Sequence, residues 1–285
     1  MVYNIFRQKQ LPMKFTESIF KLAVVALSLI LLSCEEKFDI PLQQSAPQIL
    51  VVDGMITSDT TQHEVFLSYT GNFYMEEETP RVSGAEVKIV DDLGNTFILQ
   101  ESQPGKYITD STVYGVIGAT YTLQVKNKGS LYEASSTMKR VPAIDSLDYR
   151  WDNQLGYYRI LLYGNEPKGK GDNYMWHLYK NSQRVTDQVS KVQVANDEFI
   201  DGNYINGFKV DWWDNAFDFQ IGDTITVAQH SITTEAFDYF LAVLAEHNNG
   251  EANLNPPANI TSNVNNGALG LFHASAVKYA TIIIE

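Results

Sequence analysis

The sequence predicts a mainly β protein: an N-terminal immunoglobulin-like or transthyretin-like β-sandwich, then an antiparallel β-sheet or partial barrel with one packed helix. Three observations predict it. From residue 48 to the C-terminus, short runs rich in Val, Ile, Thr, Tyr, Phe and Trp recur at close spacing, separated by Gly, Asn, Asp and Pro. Only one stretch, near residues 233–247, repeats apolar residues at three- and four-residue intervals. Hydrophobic residues make up 44% of the 285 and charged residues 19%, which supplies a core and excludes a wholly disordered chain.

Residues 1–33 read as an export signal. Arg7, Lys9, Lys14 and Lys21 give a basic start, and an apolar run broken only by Ser28 covers residues 22–32. A spanning helix needs about 20 such residues, so this shorter run suits a signal peptide. It closes on Leu31-Leu32-Ser33-Cys34, which resembles the lipobox of bacterial lipoproteins. Cys34 is the chain's single cysteine. It can build neither a disulfide framework nor a Cys-rich metal site, but it stands where lipid attachment requires a thiol. Each buried CH₂ of an acyl chain such as palmitate contributes about 0.8 kcal/mol, so several chains together anchor stably. Residues 34–47, bracketed by Pro41 and Pro47, form a tether. Glu35, Glu36 and Asp39 directly after the cysteine resemble the surface-export signal of Bacteroidetes lipoproteins. The expected location is the outer membrane, lipid-anchored and facing the exterior.

Residues 48–140 carry the sandwich. Strand-like runs fall at 49–56, 64–69, 85–90, 96–99, 105–109, 120–125 and 131–135, a count and spacing that suit two small packed sheets. Within them Ala85-Glu86-Val87-Lys88-Ile89-Val90 alternates apolar and polar with period two. Asp91-Asp92-Leu93-Gly94-Asn95 then supplies a hairpin turn in which Gly94 is free to take positive φ.

Residues 141–285 are aromatic-rich. Strands are expected at 146–151, 157–163, 174–179, 188–194, 208–213 and 223–227, with closing segments at 267–275 and 280–284. The helix near 233–247 places Ala236, Phe237, Phe240, Leu241, Val243 and Leu244 on one face, with Glu235 in its first turn.

Charge narrows the partners. With 34 acidic against 21 basic residues the net charge is −13, so phosphate backbones are repelled and nucleic-acid binding is not expected. The five histidines (His63, His177, His230, His247 and His273) are far apart in sequence, and His177 suits a hydrogen-bonded structural role. Asp197, Glu198, Asp201 and Asn203 form an oxygen-rich stretch, but the spacing does not match a twelve-residue calcium loop, and a solvated turn is expected. No metal or cofactor site is expected. A Gly-x-Ser-x-Gly elbow is absent, and no enzymatic role is expected.

Several segments carry a resemblance: Leu50-Val51-Val52-Asp53-Gly54-Met55-Ile56-Thr57, Val82-Ser83-Gly84-Ala85, Val141-Pro142, Pro256-Pro257-Ala258-Asn259-Ile260 with Asn263, and Gly267-Ala268-Leu269-Gly270-Leu271-Phe272. Together they resemble the Bacteroidetes lipoproteins of the domain-of-unknown-function 4249 family over nearly the whole mature chain. The resemblance implies an outer-membrane lipoprotein, often encoded beside a TonB-dependent transporter, with no defining enzymatic activity and no catalytic residues to carry over.

Asp211-Trp212-Trp213-Asp214 is the candidate ligand-binding segment, because sugar faces stack on rings while hydroxyls donate to carboxylates. Strand alternation opposes it, since adjacent residues point to opposite faces and one ring packs inward. The expected function is therefore a non-catalytic accessory or ligand-capturing subunit of a TonB-dependent outer-membrane transporter. The alternatives are an independent surface module that binds a glycan or peptide, and a structural envelope lipoprotein.

Overall fold

Burial along β1 (Leu50–Thr57) follows the pleat. Leu50, Val52 and Ile56 are buried on one face while Asp53 on the other is exposed. The same alternation runs through β2 (Glu64–Tyr69), β3 (Glu86–Asp91) and β6 (Thr120–Asn127), so their inner faces meet in one core around Val65, Leu67, Ile89, Tyr121 and Leu123. The computed structural model describes residues 48–71, 79–211, 217–252 and 260–285. With β4 (Thr96–Gln103), β5 (Lys106–Ile108), β7 (Ser130–Thr137) and β15 (Leu269–Ser275) these strands form an eight-stranded sheet ordered β15-β1-β2-β5-β4-β3-β6-β7. The sheet rolls over its core until its two edge strands approach: Lys139 bridges Ser275, and the Ala274 amide donates to Ser136 Oγ at 3.0 Å. The protein is mainly β, with seven strands in the first block as the spacing predicts.

The eighth strand comes from the far end of the chain. β15 pairs with β1 in parallel, placing Val52 opposite Gly270 and Gly54 opposite Phe272. Two glycines make that approach possible. A Cβ on Gly270 would lie 1.8 Å from the Val52 carbonyl oxygen, and its φ of +107° also favours glycine. A Cβ on Gly54 would meet Val65 at 3.0 Å and Phe272 at 3.3 Å, so its absence leaves room for the buried Phe272 ring. Asn263 fastens the segment, its Oδ1 accepting from the Phe272 amide at 3.0 Å and its Nδ2 donating to the Phe272 carbonyl at 2.7 Å.

The remaining strands form two smaller sheets. β8 (Ser146–Asp152), β9 (Tyr157–Asn165) and β13 (Tyr204–Lys209) make one, in the order β13-β9-β8. The other joins β10 (Asn173–Lys180), β11 (Gln183–Arg184), β12 (Gln193–Asn196), β14 (Thr224–Ile232) and β16 (Val277–Ile283). Only Ala276 separates β15 from β16, so one stretch of chain leaves the rolled sheet and enters the next. Buried Ser275 and Ser231 fix that crossing: Ser275 Oγ donates to the Ser231 carbonyl at 2.6 Å, and the Ala276 amide donates to Ser231 Oγ at 3.0 Å.

Two expected strands are displaced. A 3₁₀ turn, Val189–Lys191, replaces the first half of the 188–194 run, leaving Gln193–Asn196 as strand. Of the 208–213 run, residues 212–213 lie outside the described residues, and Phe208 and Lys209 close a strand that begins at Tyr204, where Gly207, at φ +82°, allows a bulge against β9 that keeps Phe208 paired with Leu162. The helix α1 (Thr234–Ala252) starts at the expected place: Thr233 caps it, its Oγ1 accepting from the Ala236 amide at 3.3 Å. Ala236 and Leu244 are buried, whereas Leu241 is 42% exposed and lies off the packed face.

α1 and the outer face of β1 and β15 enclose a second core of Met175, Ile232, Ala236, Leu244 and Leu271, with Met55, Phe237, Tyr239 and Phe240 against it. Three buried histidines lie beside these residues. His177 and His230 meet edge to face at 5.2 Å, and Phe240 packs against His273 at 5.9 Å. Burial pushes all three imidazoles down, His177 to about 3 and His273 to about 4. His177 Nδ1 bonds Thr186 Oγ1 at 3.2 Å, as its structural role requires, while the Nδ1 atoms of His230 and His273 have no partner.

Candidate functional site

Cys34, Trp212, Trp213 and Asp214 lie outside the described residues. Asp211 is described, and it is 2% exposed. Its carboxylate pairs with Arg159 Nε on β9 at 2.9 Å, an approach that satisfies charge more than hydrogen-bond direction. Arg159 also donates to the Asp211 carbonyl oxygen. Burial raises the Asp211 carboxyl above its usual range, and the guanidinium opposes that rise. On the far side of the segment Phe217 and Phe219 stack at 5.5 Å and are buried. Nearby in the chain's β8–β9 ladder, Tyr158 meets Trp151 at 5.0 Å and Tyr149 at 5.4 Å, and Trp151 is 44% exposed.

The sandwich carries a groove of about 400 Å³. Phe97, Ile98, Tyr114 and Val116 supply its apolar lining, and Asp91 and Asp110 stand among its polar residues. Two local constraints build it. Phe97-Ile98-Leu99 is an apolar run inside an alternating strand, so when Leu99 faces inward opposite Val87, Ile98 must face outward opposite Lys88. Ile98 is 66% exposed as a result. In the β5–β6 connection Gly115 presses against the body: its amide donates to the Thr57 carbonyl at 2.7 Å, and a Cβ there would lie 2.2 Å from Met138 Cε. That contact pins the loop and leaves Tyr114 and Val116, on either side of it, 55% and 43% exposed. The carboxylates are pre-oriented. Asp91 Oδ1 accepts from the Leu93 and Asn95 amides, and Asp110 Oδ1 accepts from the Thr112 amide and hydroxyl, which holds the Asp110 carboxyl below its usual range. Grooves of this size with apolar walls and a few fixed polar groups suit small ligands or a side chain of a partner.

A second cluster joins residues distant in sequence. Glu166, Asp172 and Asp197 bring carboxylate oxygens within 4.8 Å of one another, and among the described residues they form the one acidic or histidine group placed to hold a metal ion. Sequence reading singled out Asp197 but not its two partners, which lie at either end of the charged, glycine-containing loop between β9 and β10.

The family model described as "Domain of unknown function (DUF4249)" matches residues 35–281. The chain belongs to the DUF4249 family. The match begins at the residue after Cys34 and runs through both sheet regions to β16. The DUF4249 resemblance segments now have a structural account: the Leu50–Thr57 and Gly267–Phe272 motifs pair with each other, through Gly54 and Gly270, and Asn263 ties down the second of them. No curated protein matches the chain. Among solved structures, a two fibronectin type-III domain segment from chicken tenascin is similar at 12% identity and a TM-score of 0.20, covering 65% of this chain and 90% of that one.

Proposed function

We propose that this DUF4249 protein is a lipid-anchored outer-membrane protein facing the cell exterior, acting as a non-catalytic, ligand-capturing accessory subunit of a TonB-dependent transporter. The observation that carries the reading is the open groove on the sandwich, where exposed Ile98 and Tyr114 stand beside fixed carboxylates on a body that follows a lipobox and tether. Exposed apolar side chains grouped in this way are binding surface rather than core. An anchor at Cys34 would confine that surface to two dimensions and raise its effective concentration near a membrane partner, so a modest interface is enough. Carboxylates fixed by backbone amides favour a ligand that donates hydrogen bonds, such as a sugar or a peptide backbone.

Two experiments test the reading. The tagged full chain, purified from detergent-solubilised membranes, should bring a TonB-dependent transporter with it, and the paired substitution Ile98→Asp and Tyr114→Ala should lower that recovery at least tenfold. Repeated recovery of the lipoprotein alone overturns the transporter role. Cys34→Ser should leave folding intact and move the protein out of the outer-membrane fraction; a variant that still sediments there removes the lipid anchor from the account. An independent glycan- or peptide-binding module is the second reading, favoured by the exposed Trp151 ring packed against Tyr158. Glycan binding by calorimetry on the full chain in detergent, together with purifications that never recover a transporter, would favour this second reading over the first.

A further inference from the structure

The loop from Glu166 to Asp172 is held from two sides. Asp172 precedes β10 and Asp197 follows β12, so the pair extends the β10–β12 ladder by one step, with the Asp197 amide donating to the Asp172 carbonyl at 3.0 Å. The Glu166 amide donates to the Asn203 carbonyl at 2.9 Å, which fastens the other end. Gly169 and Gly171, at φ +118° and +109°, let the chain turn between them. Strand pairing and the Asn203 contact therefore bring Asp197 to two carboxylates that lie 25 and 31 residues earlier, Asp172 and Glu166.

Two independent features point to a ligand there. The first is separation: two oxygens bound to one Ca²⁺ at about 2.4 Å can lie no more than about 4.8 Å apart, and the three carboxylates satisfy that limit pairwise. The second is an orphaned atom. Glu166 is 4% exposed, and while its Oε1 accepts from the Tyr174 hydroxyl at 2.8 Å, its Oε2 has no partner. A buried carboxylate oxygen without a donor is costly, and a cation removes that cost. The other groups are spoken for. Arg140 donates to Asp172 Oδ2 from Nε at 2.9 Å and from Nη2 at 2.7 Å, and the Asp197 carboxylate accepts from the Gly171 amide at 3.0 Å. Three carboxylates against one guanidinium leave two negative charges when all are ionised, which a divalent ion balances.

We propose that Glu166, Asp172 and Asp197 bind one Ca²⁺ ion, with water completing its shell. All-oxygen ligands select a hard cation, and a loop with two glycines suits the variable geometry of Ca²⁺ better than the strict octahedron of Mg²⁺. The ion ties the β9–β10 loop to the turn after β12, clamping both smaller sheets at one corner. This site does not depend on the transporter reading.

Terbium luminescence tests it on the full chain in detergent, stripped of metal with a chelator. Tyr174 touches Glu166 and Trp176 follows two residues later, so both rings can sensitise bound Tb³⁺. Expected is a saturable sensitised emission that Ca²⁺ displaces at about millimolar concentration or below, the range of extracellular calcium sites. In Glu166→Gln and Asp197→Asn the Ca²⁺ affinity should fall at least tenfold, and Ca²⁺ should raise the melting midpoint of the parent protein but not of either variant. Glu166→Gln keeps the shape and the Tyr174 contact, so it reports even where Asp197→Asn does not fold. Emission that Ca²⁺ fails to displace, or that Glu166→Gln leaves unchanged, overturns the site; equal displacement by Mg²⁺ overturns the choice of ion.

Discussion

Replacing one buried imidazole should make this protein markedly less sensitive to acid. His273 is buried beside Phe240 with its Nδ1 unpartnered, and its pKa is pushed down to about 4. Unfolded, it would titrate near 6.5. Between those values the unfolded chain binds a proton that the folded chain refuses, so stability rises with pH there. The stability is fully present above about pH 6.5 and is lost as pH falls towards 4. At pH 5 the loss is set almost wholly by the unfolded imidazole, 1.5 units above the ambient pH, and comes to about 2 kcal/mol. His177, pushed down to about 3, adds about the same by the same arithmetic, and His230 acts in the same direction. Glu166 works against them: burial raises its carboxyl to about 7, so the folded chain holds a proton the unfolded chain gives up and acid stabilises this group. The parent profile alone therefore mixes two signs, and the difference between parent and His273→Leu isolates one. Urea unfolding of both, with chelator present, should give a stability difference that changes by about 2 kcal/mol in the variant's favour between pH 7.5 and pH 5. With an m-value of about 2–3 kcal/mol/M, the midpoint difference moves by about 0.8 M. Profiles that run parallel across that range would refute the reasoning, because they would mean that His273 takes up its proton while folded.

Three further outcomes follow from particular contacts. Gly270→Ala drives a methyl into the Val52 carbonyl in a left-handed backbone and should cost about 4 kcal/mol or more, seen as a melting midpoint lowered by roughly 10 °C or as loss of soluble protein. Asp211→Ala leaves the buried Arg159 charge with only the looser Asp152 contact at 3.9 Å and should cost about 3 kcal/mol, whereas Arg159→Met with Asp211→Leu should recover most of it in the same denaturation assay. Ile98→Asp with Tyr114→Ala removes only exposed groove residues, so stability by urea unfolding should stay within about 0.5 kcal/mol while partner recovery falls.

Much of the strand inventory was legible because alternation is local. Val87 and Ile89 turn inward and Glu86 and Lys88 outward whatever lies beyond them, and the Asp91–Asn95 turn is closed by the Asp91 side chain itself. The displaced strands failed for the same reason in reverse: Val189–Lys191 has strand composition but curls into a turn, and Gly207 shifts the register only because β9 is there to pair with. The groove left one trace, the three-residue apolar run Phe97-Ile98-Leu99 that no alternating strand can bury whole. The glycine at 115 that pushes Tyr114 and Val116 outward left none, since its partner Met138 lies in another part of the chain.

Read alone, the amino-acid order determined where helix α1 and most of the strands begin, that Cys34 stands at the end of an apolar leader, and that the chain is acidic. Only the folded arrangement decided that the Leu50 and Gly267 motifs are partners, that three scattered histidines share one apolar core, and that Glu166 and Asp172 meet Asp197. Periodicity records which side of an element is buried, and neighbouring residues suffice to write it. Which elements then lie side by side depends on loop closure and on pairing between distant strands, and a one-dimensional pattern holds no trace of either.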